Sequence, residues 1–287
     1  MNFVVVGGGF AGIETAGELM DLLLDARKYY PTIHKEDIKV IVLEAMGKIL
    51  PGFNKKLADF AKKKLIERGI DIQLKKAVTS FDGNEVTIKT LDETPKDSID
   101  QSEVESIITK TLIWTAGVTP VNTIKRSMFK TEKGKIIINN FLEVPKFPGV
   151  FAIGDCALFV DPITNRPFPP TAQIAEAQAK MAAKNLISLI QNSEQEEFVY
   201  HSKGQMAIIG KRSGIATFLG VNISGFVAWL IWRNVYLSKI PTFDKKIRVF
   251  LDWIIDLFFD RDISRLKLMK REAELEYKLL DEVDDVW

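Results

Sequence analysis

Phe3-Val4-Val5-Val6-Gly7-Gly8-Gly9-Phe10-Ala11-Gly12-Ile13-Glu14 is an apolar, largely β-branched run that breaks on glycines and passes at once into a helical pattern, Ile13 to Leu24. In that setting Gly7-x-Gly9-x-x-Gly12 reads as a dinucleotide-binding βα turn. Gly7 permits the tight turn, Gly9 lets the backbone approach a pyrophosphate, and Gly12 lets helix pack on strand. The helix opens on Phe10 and Ala11, whose free N–H groups and positive dipole end suit phosphates. Only Met1 and Asn2 precede the strand.

Working outward, a second strand, Ile38 to Leu43, closes on Glu44, with Arg27 to Asp37 inserted between helix and strand. A carboxylate there is placed to accept from both ribose hydroxyls of an adenosine, and it repels a 2′-phosphate, so NADH is expected over NADPH. Leu57 to Arg68 is an amphipathic helix stopped by Gly69. Ile70 to Leu74, Glu85 to Thr90 and the start of Thr111 to Val118 read as further strands. Leu91 to Ser106 is polar and without period and is expected to be a loop. From Gly134 a new unit begins. Lys135 to Asn139 is a short strand, Gly149 to Asp155 a buried strand ending in an acid, and Ala172 to Gln191 a long helix entered through Pro169-Pro170-Thr171.

Composition narrows the classes. The 287 residues suit about two domains. A net charge of +1 gives no electrostatic case for nucleic acid. Cys156 is the single cysteine, which points to a reducing compartment, and His34 and His201 lack partners at metal-ligand spacing. Met1 leads straight into a strand, so no secretory leader is expected. The most apolar stretch, Ile223 to Trp232, is too short to span a bilayer.

The last third changes character. Phe226 to Leu237 and Ile247 to Phe259 are helical, and four of the five tryptophans fall between Trp229 and Trp287. Asp244, Arg248, Asp252, Asp256 and Asp260 recur every four residues as one narrow polar stripe. Ile247, Phe250, Leu251, Trp253, Ile254, Leu257 and Phe258 cover the rest, an arc too wide for an ordinary surface helix. Burial in a dimer interface is one reading. The other is a membrane interface, favoured by the aromatic residues and by Lys239, Lys245, Lys246, Arg261, Arg265 and Lys267 at the flanks, although the acidic stripe counts against it.

Five segments in order resemble one family: Gly7 to Leu19, Ile49-Leu50-Pro51, Trp114-Thr115-Ala116-Gly117-Val118, Phe151-Ala152-Ile153-Gly154-Asp155 and Pro169-Pro170-Thr171-Ala172-Gln173. They are similar to the type II NADH dehydrogenases, single-chain flavoenzymes that pass electrons from NADH to quinone without pumping protons. The likeness runs from residue 3 to about 265. It implies an α/β fold with a Rossmann-like NADH-binding domain over residues 1–120, including Ala116 and Gly117. It further implies the C-terminal portion of an FAD-binding domain over 121–200 and a membrane-association region over 201–287. By the same resemblance Gly154 and Asp155 hold FAD, Ala172, Gln173 and Ile174 line the flavin and the quinone approach, and Glu14 lies beside the nicotinamide. The family often carries a second glutamine four residues after the first. Here that position is Ala177, with Gln178 following.

In that family a separate glycine motif holds the ADP half of FAD, and this sequence has no second Gly-x-Gly-x-x-Gly. Three explanations stay open: a fragment of a longer protein, a subunit whose partner chain carries that half, or a stand-alone NADH-binding module on the membrane. Residues 134 to 192 are then expected to present apolar edges for a partner or a homodimer to cover. A soluble FAD- and NAD(P)H-dependent reductase is a further alternative. The resemblance places the protein peripherally on the cytoplasmic face of the cell membrane.

Overall fold

The computed structural model describes residues 1–91, 104–162, 165–202, 204–218 and 220–259. The chain opens as β1 (Asn2–Val6), α1 (Phe10–Ala26), β2 (Lys39–Glu44), α2 (Lys55–Glu67) and β3 (Ile70–Leu74). It continues through β4 (Lys76–Phe81), β5 (Glu85–Thr90), β6 (Val104–Ile108) and β7 (Leu112–Trp114). Strands β3, β2, β1 and β7, in that order, form a parallel sheet with Val5 opposite Val42 on one side and Ile113 on the other. The chain therefore crosses to opposite sides of β1, which leaves a crevice at the carboxyl ends of β1 and β7.

Both faces of this sheet are covered, which is why its strands are continuously apolar rather than alternating. Val5, Val40 and Val42 pack with Ile13, Ala16, Leu57, Ala61 and Leu65 of the helices. Val4, Val6, Ile41 and Leu43 pack on Val86 and Ile88 of a separate antiparallel sheet, β4-β5-β6. That second sheet corrects the sequence reading in two places. Strand β4 follows β3 after one residue, Lys75, held at φ +57°, and its outer half is exposed, so its alternation is weak. Val104–Ile108 is strand β6 rather than loop, because β5 supplies its backbone with antiparallel partners from Val104 to Ile108. Residues 92–103 of the expected loop lie outside the described residues.

The second unit holds α3 (Asn122–Lys125), β8 (Thr131–Glu132), β9 (Lys135–Ile137), β10 (Ala157–Leu158) and α4 (Ala172–Ile190). Lys133 and Gly134 both have positive φ, the two-residue hairpin turn that joins β8 to β9. Gly149 to Asp155 is not a strand. It has one bridge, Phe151 to Glu143, and ends in a 3-10 turn over Gly154–Cys156, so apolar content here marks burial rather than a ladder. Ala152, Ala157, Phe159 and Phe198 lie in its core. Leu186, Ile187 and Ile190 of α4 remain exposed.

The remaining chain is an antiparallel meander, β11 (Gly204–Ile208), β12 (Gly214–Phe218) and β13 (Val221–Gly225), followed by α5 (Phe226–Lys239) and α6 (Phe243–Phe258). The run from Gly204 is thus a strand before it reaches the helices. Ala207, Ile209 and Ile215 join the core of the first unit. Gly17 is the reason they can: a Cβ there would lie 3.0 Å from the backbone of Ile209 and Gly210. Helix α6 has no buried residue. It is held to α5 by Arg233, whose guanidinium lies 4.1 Å from the Trp229 ring and 4.7 Å from the Trp253 ring. Phe243, Phe250, Leu251, Ile254 and Phe258 face outward. Asp260, Arg261, Arg265, Lys267 and Trp287 lie outside the described residues.

Candidate functional site

The glycine turn is built from three different constraints. Gly7 sits at φ +110°, where only glycine is comfortable, and donates to Leu43 O at 2.8 Å. At Gly12 a Cβ would fall 1.8 Å from Gly7 O and 2.7 Å from Thr115 Oγ1. At Gly9 a Cβ would meet nothing within 4 Å. The first and third glycines therefore serve the protein's own packing, and the middle one keeps a surface clear. Gly9 also caps α1 without a side-chain hydrogen bond, so the first-turn N–H groups of Phe10 and Ala11 face that clear surface.

Glu44, buried at the end of β2, closes the turn from the other side. Its carboxylate accepts from the Gly8 N–H and, at 2.7 Å, from the Met46 N–H. Gly8 was not singled out from the sequence. Its signal is a glycine between the two motif glycines, Gly7 and Gly9, since a Cβ at Gly8 would lie 3.0 Å from Glu44 and Ile49. Thr115 is a second addition: its hydroxyl donates to Val6 O at 2.7 Å and fixes the end of β7 against the turn. Ala116 and the positive-φ Gly117 follow it, exposed at the same crevice.

Glu14 leaves the second turn of α1 toward the meander, where its Oε1 accepts from the Ile208 N–H at 2.9 Å. Burial raises its carboxyl pKa, with smaller contributions from that hydrogen bond, which lowers it, and from Glu18, which raises it. Glu14 is thus brought to the join between α1, β11 and α5 rather than into the open turn.

The second group of residues gathers at the start of α4. Thr171 caps the helix by accepting from the Ile174 N–H at 3.4 Å. Ala172, Gln173 and Asp155 are exposed there, whereas Ile174 turns inward. Gly154, at φ +70°, donates its N–H to Gln178 Oε1 at 2.7 Å. Gln178 is buried, so the glutamine displaced by one position from the family pattern serves the Gly154–Asp155 turn. Gln173 also lines a cleft of about 310 Å³ with Tyr200, His201, Met206, Phe218 and Val235.

An open glycine turn at a sheet's switch point, with an acid at the end of β2, defines a dinucleotide-binding α/β domain. The chain belongs to the pyridine nucleotide-disulphide oxidoreductase family, whose profile matches residues 1–179, while that of the NDH2 C-terminal domain matches residues 202–262. It is 33% identical to a probable NADH dehydrogenase of Dictyostelium discoideum, over 92% of this chain and 56% of that protein. It is 31% identical to a type II NADH:quinone oxidoreductase of Mycobacterium tuberculosis, over 91% of this chain and 55% of that protein. The chain thus spans just over half the length of these relatives. The structure of NDH2 from Plasmodium falciparum in complex with NADH superposes with a TM-score of 0.78 at 18% identity, covering 92% of this chain and 67% of that one, a likeness of fold.

Proposed function

We propose that this chain forms the NADH-binding and quinone-facing part of an FAD-dependent, non-proton-pumping NADH:quinone oxidoreductase that rests on a membrane. The observation that carries the reading is the open turn at Gly9, flanked by the α1 N-terminus and Glu44. The turn's free N–H groups hold the NADH pyrophosphate. Glu44 takes the adenosine ribose, its position already fixed by Gly8 and Met46. Burial raises the proton affinity of Glu14, which accepts the Ile208 N–H at the join between the nucleotide helix and the quinone-side meander.

The residues at the start of α4 fit the ribityl and ring end of an FAD. A side chain at Gly154 would strain the backbone at φ +70°, and exposed Asp155 offers acceptors beside it. Gly154, Asp155, Ala172 and Gln173 would hold that end, and the ADP end would be held by residues outside this sequence. When bound, the flavin supplies hydride acceptance and electron delivery. The relatives' names for NADH and quinone as reactants support this assignment of both sites.

The exposed apolar face of α6 supports a peripheral seat on a membrane, and the family resemblance is what points to its cytoplasmic face. Among the described residues no helix is long and apolar enough to cross a bilayer. NADH oxidation by a ubiquinone analogue, assayed with FAD and an added ADP-binding half, tests the proposal. NADH-dependent quinone reduction is expected only in the reconstituted mixture. FAD uptake without any turnover would sink the enzyme reading and leave a nucleotide-binding module.

A further inference from the structure

The cleft beside α4 carries two polar groups in hydrogen-bond contact with each other. The Tyr200 hydroxyl donates to Gln173 Oε1 at 3.2 Å, and both residues line the cleft of about 310 Å³. A side-chain amide has an acceptor end and a donor end, related by rotation about a broad two-fold torsion. A hydroxyl engaged on the oxygen leaves the N–H₂ end for whatever occupies the cleft.

The ring that carries the hydroxyl is not free to swing. Tyr200 lies edge-on to Phe168 at 5.8 Å and nearly parallel to Phe198 at 6.5 Å, and Phe198 is buried in the core of the second unit. Burial raises the phenol's pKa, so the hydroxyl keeps its proton through the neutral range. Of the charges that line the cleft, Lys180 and Glu176 of α4 pair with each other at 2.9 Å, and Lys239 of α5 lies 5.7 Å from the Tyr236 ring. Met206, Phe218 and Val235 supply apolar walls. An occupant suited to these surroundings is flat, apolar at its sides and rich in carbonyl acceptors.

We propose that Tyr200 is a positioning residue, which turns the Gln173 amide so that its N–H₂ donates into the cleft and selects an electron acceptor bearing carbonyl oxygens. The inference rests on the function proposed above, in which Gln173 lies on the quinone approach, and it names the residue that sets that glutamine's polarity.

The test is a double-mutant cycle on binding of a short-tail ubiquinone analogue to the full chain, followed by quenching of tryptophan fluorescence. Tyr200→Phe keeps both ring contacts and removes only the hydroxyl, and weakens binding by about fivefold. Gln173→Glu, on an exposed first turn, replaces the donor end with an acceptor and weakens binding by roughly tenfold or more. Because one residue acts through the other, the double variant binds no worse than Gln173→Glu alone.

Additive losses, no loss in Tyr200→Phe, or no binding by the wild-type chain would overturn the assignment. In the reconstituted enzyme, Tyr200→Phe raises the quinone KM by about the same fivefold factor. It lowers the ratio of quinone to ferricyanide turnover, which a general packing defect would leave unmoved. A wild-type enzyme that binds the analogue but never reduces it overturns the proposed function. An active wild type with an additive cycle overturns only the role of Tyr200.

Discussion

The Glu44 carboxylate accepts the Gly8 backbone N–H, tying the end of the second strand to the middle of the glycine turn. One oxygen is used there and the other on Met46, so the group meant for the ribose is already locked in place. Hydrogen bonds to a charged group are worth about 1.5–3 kcal/mol. Glu44→Ala is expected to raise the NADH dissociation constant by roughly ten- to a hundredfold and to narrow the preference over NADPH. A fluorescence titration with each nucleotide measures both. Unchanged NADH affinity would remove Glu44 from the site.

Gly9 and Gly12 make opposite predictions from one substitution. Gly12→Ala drives a methyl into Gly7 O and Thr115 Oγ1, and the overpacking is expected to cost about 1–3 kcal/mol or more in stability. Gly9→Ala meets no protein atom. It should leave the denaturant midpoint in place while NADH affinity falls, because the new methyl stands where the pyrophosphate must approach. Equal destabilisation by the two would mean that Gly9 serves the fold.

Glu14 has its folded-state pKa raised above the ordinary 4.5 by burial. A raised value means that the folded protein binds the proton more tightly than the unfolded chain. The stabilisation is fully present below the unfolded pKa and is lost as pH rises through the folded one. Glu14→Gln retains an acceptor for the Ile208 N–H and no longer titrates. It is expected to flatten the fall in stability with rising pH just above 4.5, as followed by chemical denaturation at a series of pH values. A slope identical to wild type would place the proton elsewhere.

On α6, Phe250 and Ile254 lie one turn apart on the exposed apolar face. Phe250→Asp with Ile254→Asp should abolish co-sedimentation with phospholipid vesicles while leaving NADH binding intact. Transferring the two side chains to a bilayer interface contributes roughly 1.5–3 kcal/mol each. If the double variant sediments as before and instead changes its oligomeric state, the face is a protein contact.

The parts legible in the sequence are those where a residue's chemistry decides its own surroundings. Gly7, Gly9 and Gly12 announce the turn, the apolar runs of β1 and β2 announce a sheet covered on both faces, and Glu44 announces its acid. What escaped notice depends on partners distant in sequence. Strand β6 exists because β5 lies beside it. Val150 and Ala152 lie in an apolar run, but their backbone groups bond to the preceding loop at Leu142, Val144 and Phe147 rather than to a strand. Gln178 looked like a misplaced family glutamine until Gly154 was found at its amide. Composition marks such residues as buried or polar, and only the fold says against what.

The contact of Gly17 with Ile209 and Gly210 bears on how the chain folds as it is made. Synthesis delivers β1 and α1 well before the meander, so Ala207, Ile209 and Ile215, which close their core, leave the ribosome nearly two hundred residues later. Until then the nucleotide unit presents an open apolar seam, the kind of surface that chaperones hold and aggregates recruit. Folding of the cofactor-binding half is therefore timed by the arrival of the distal meander.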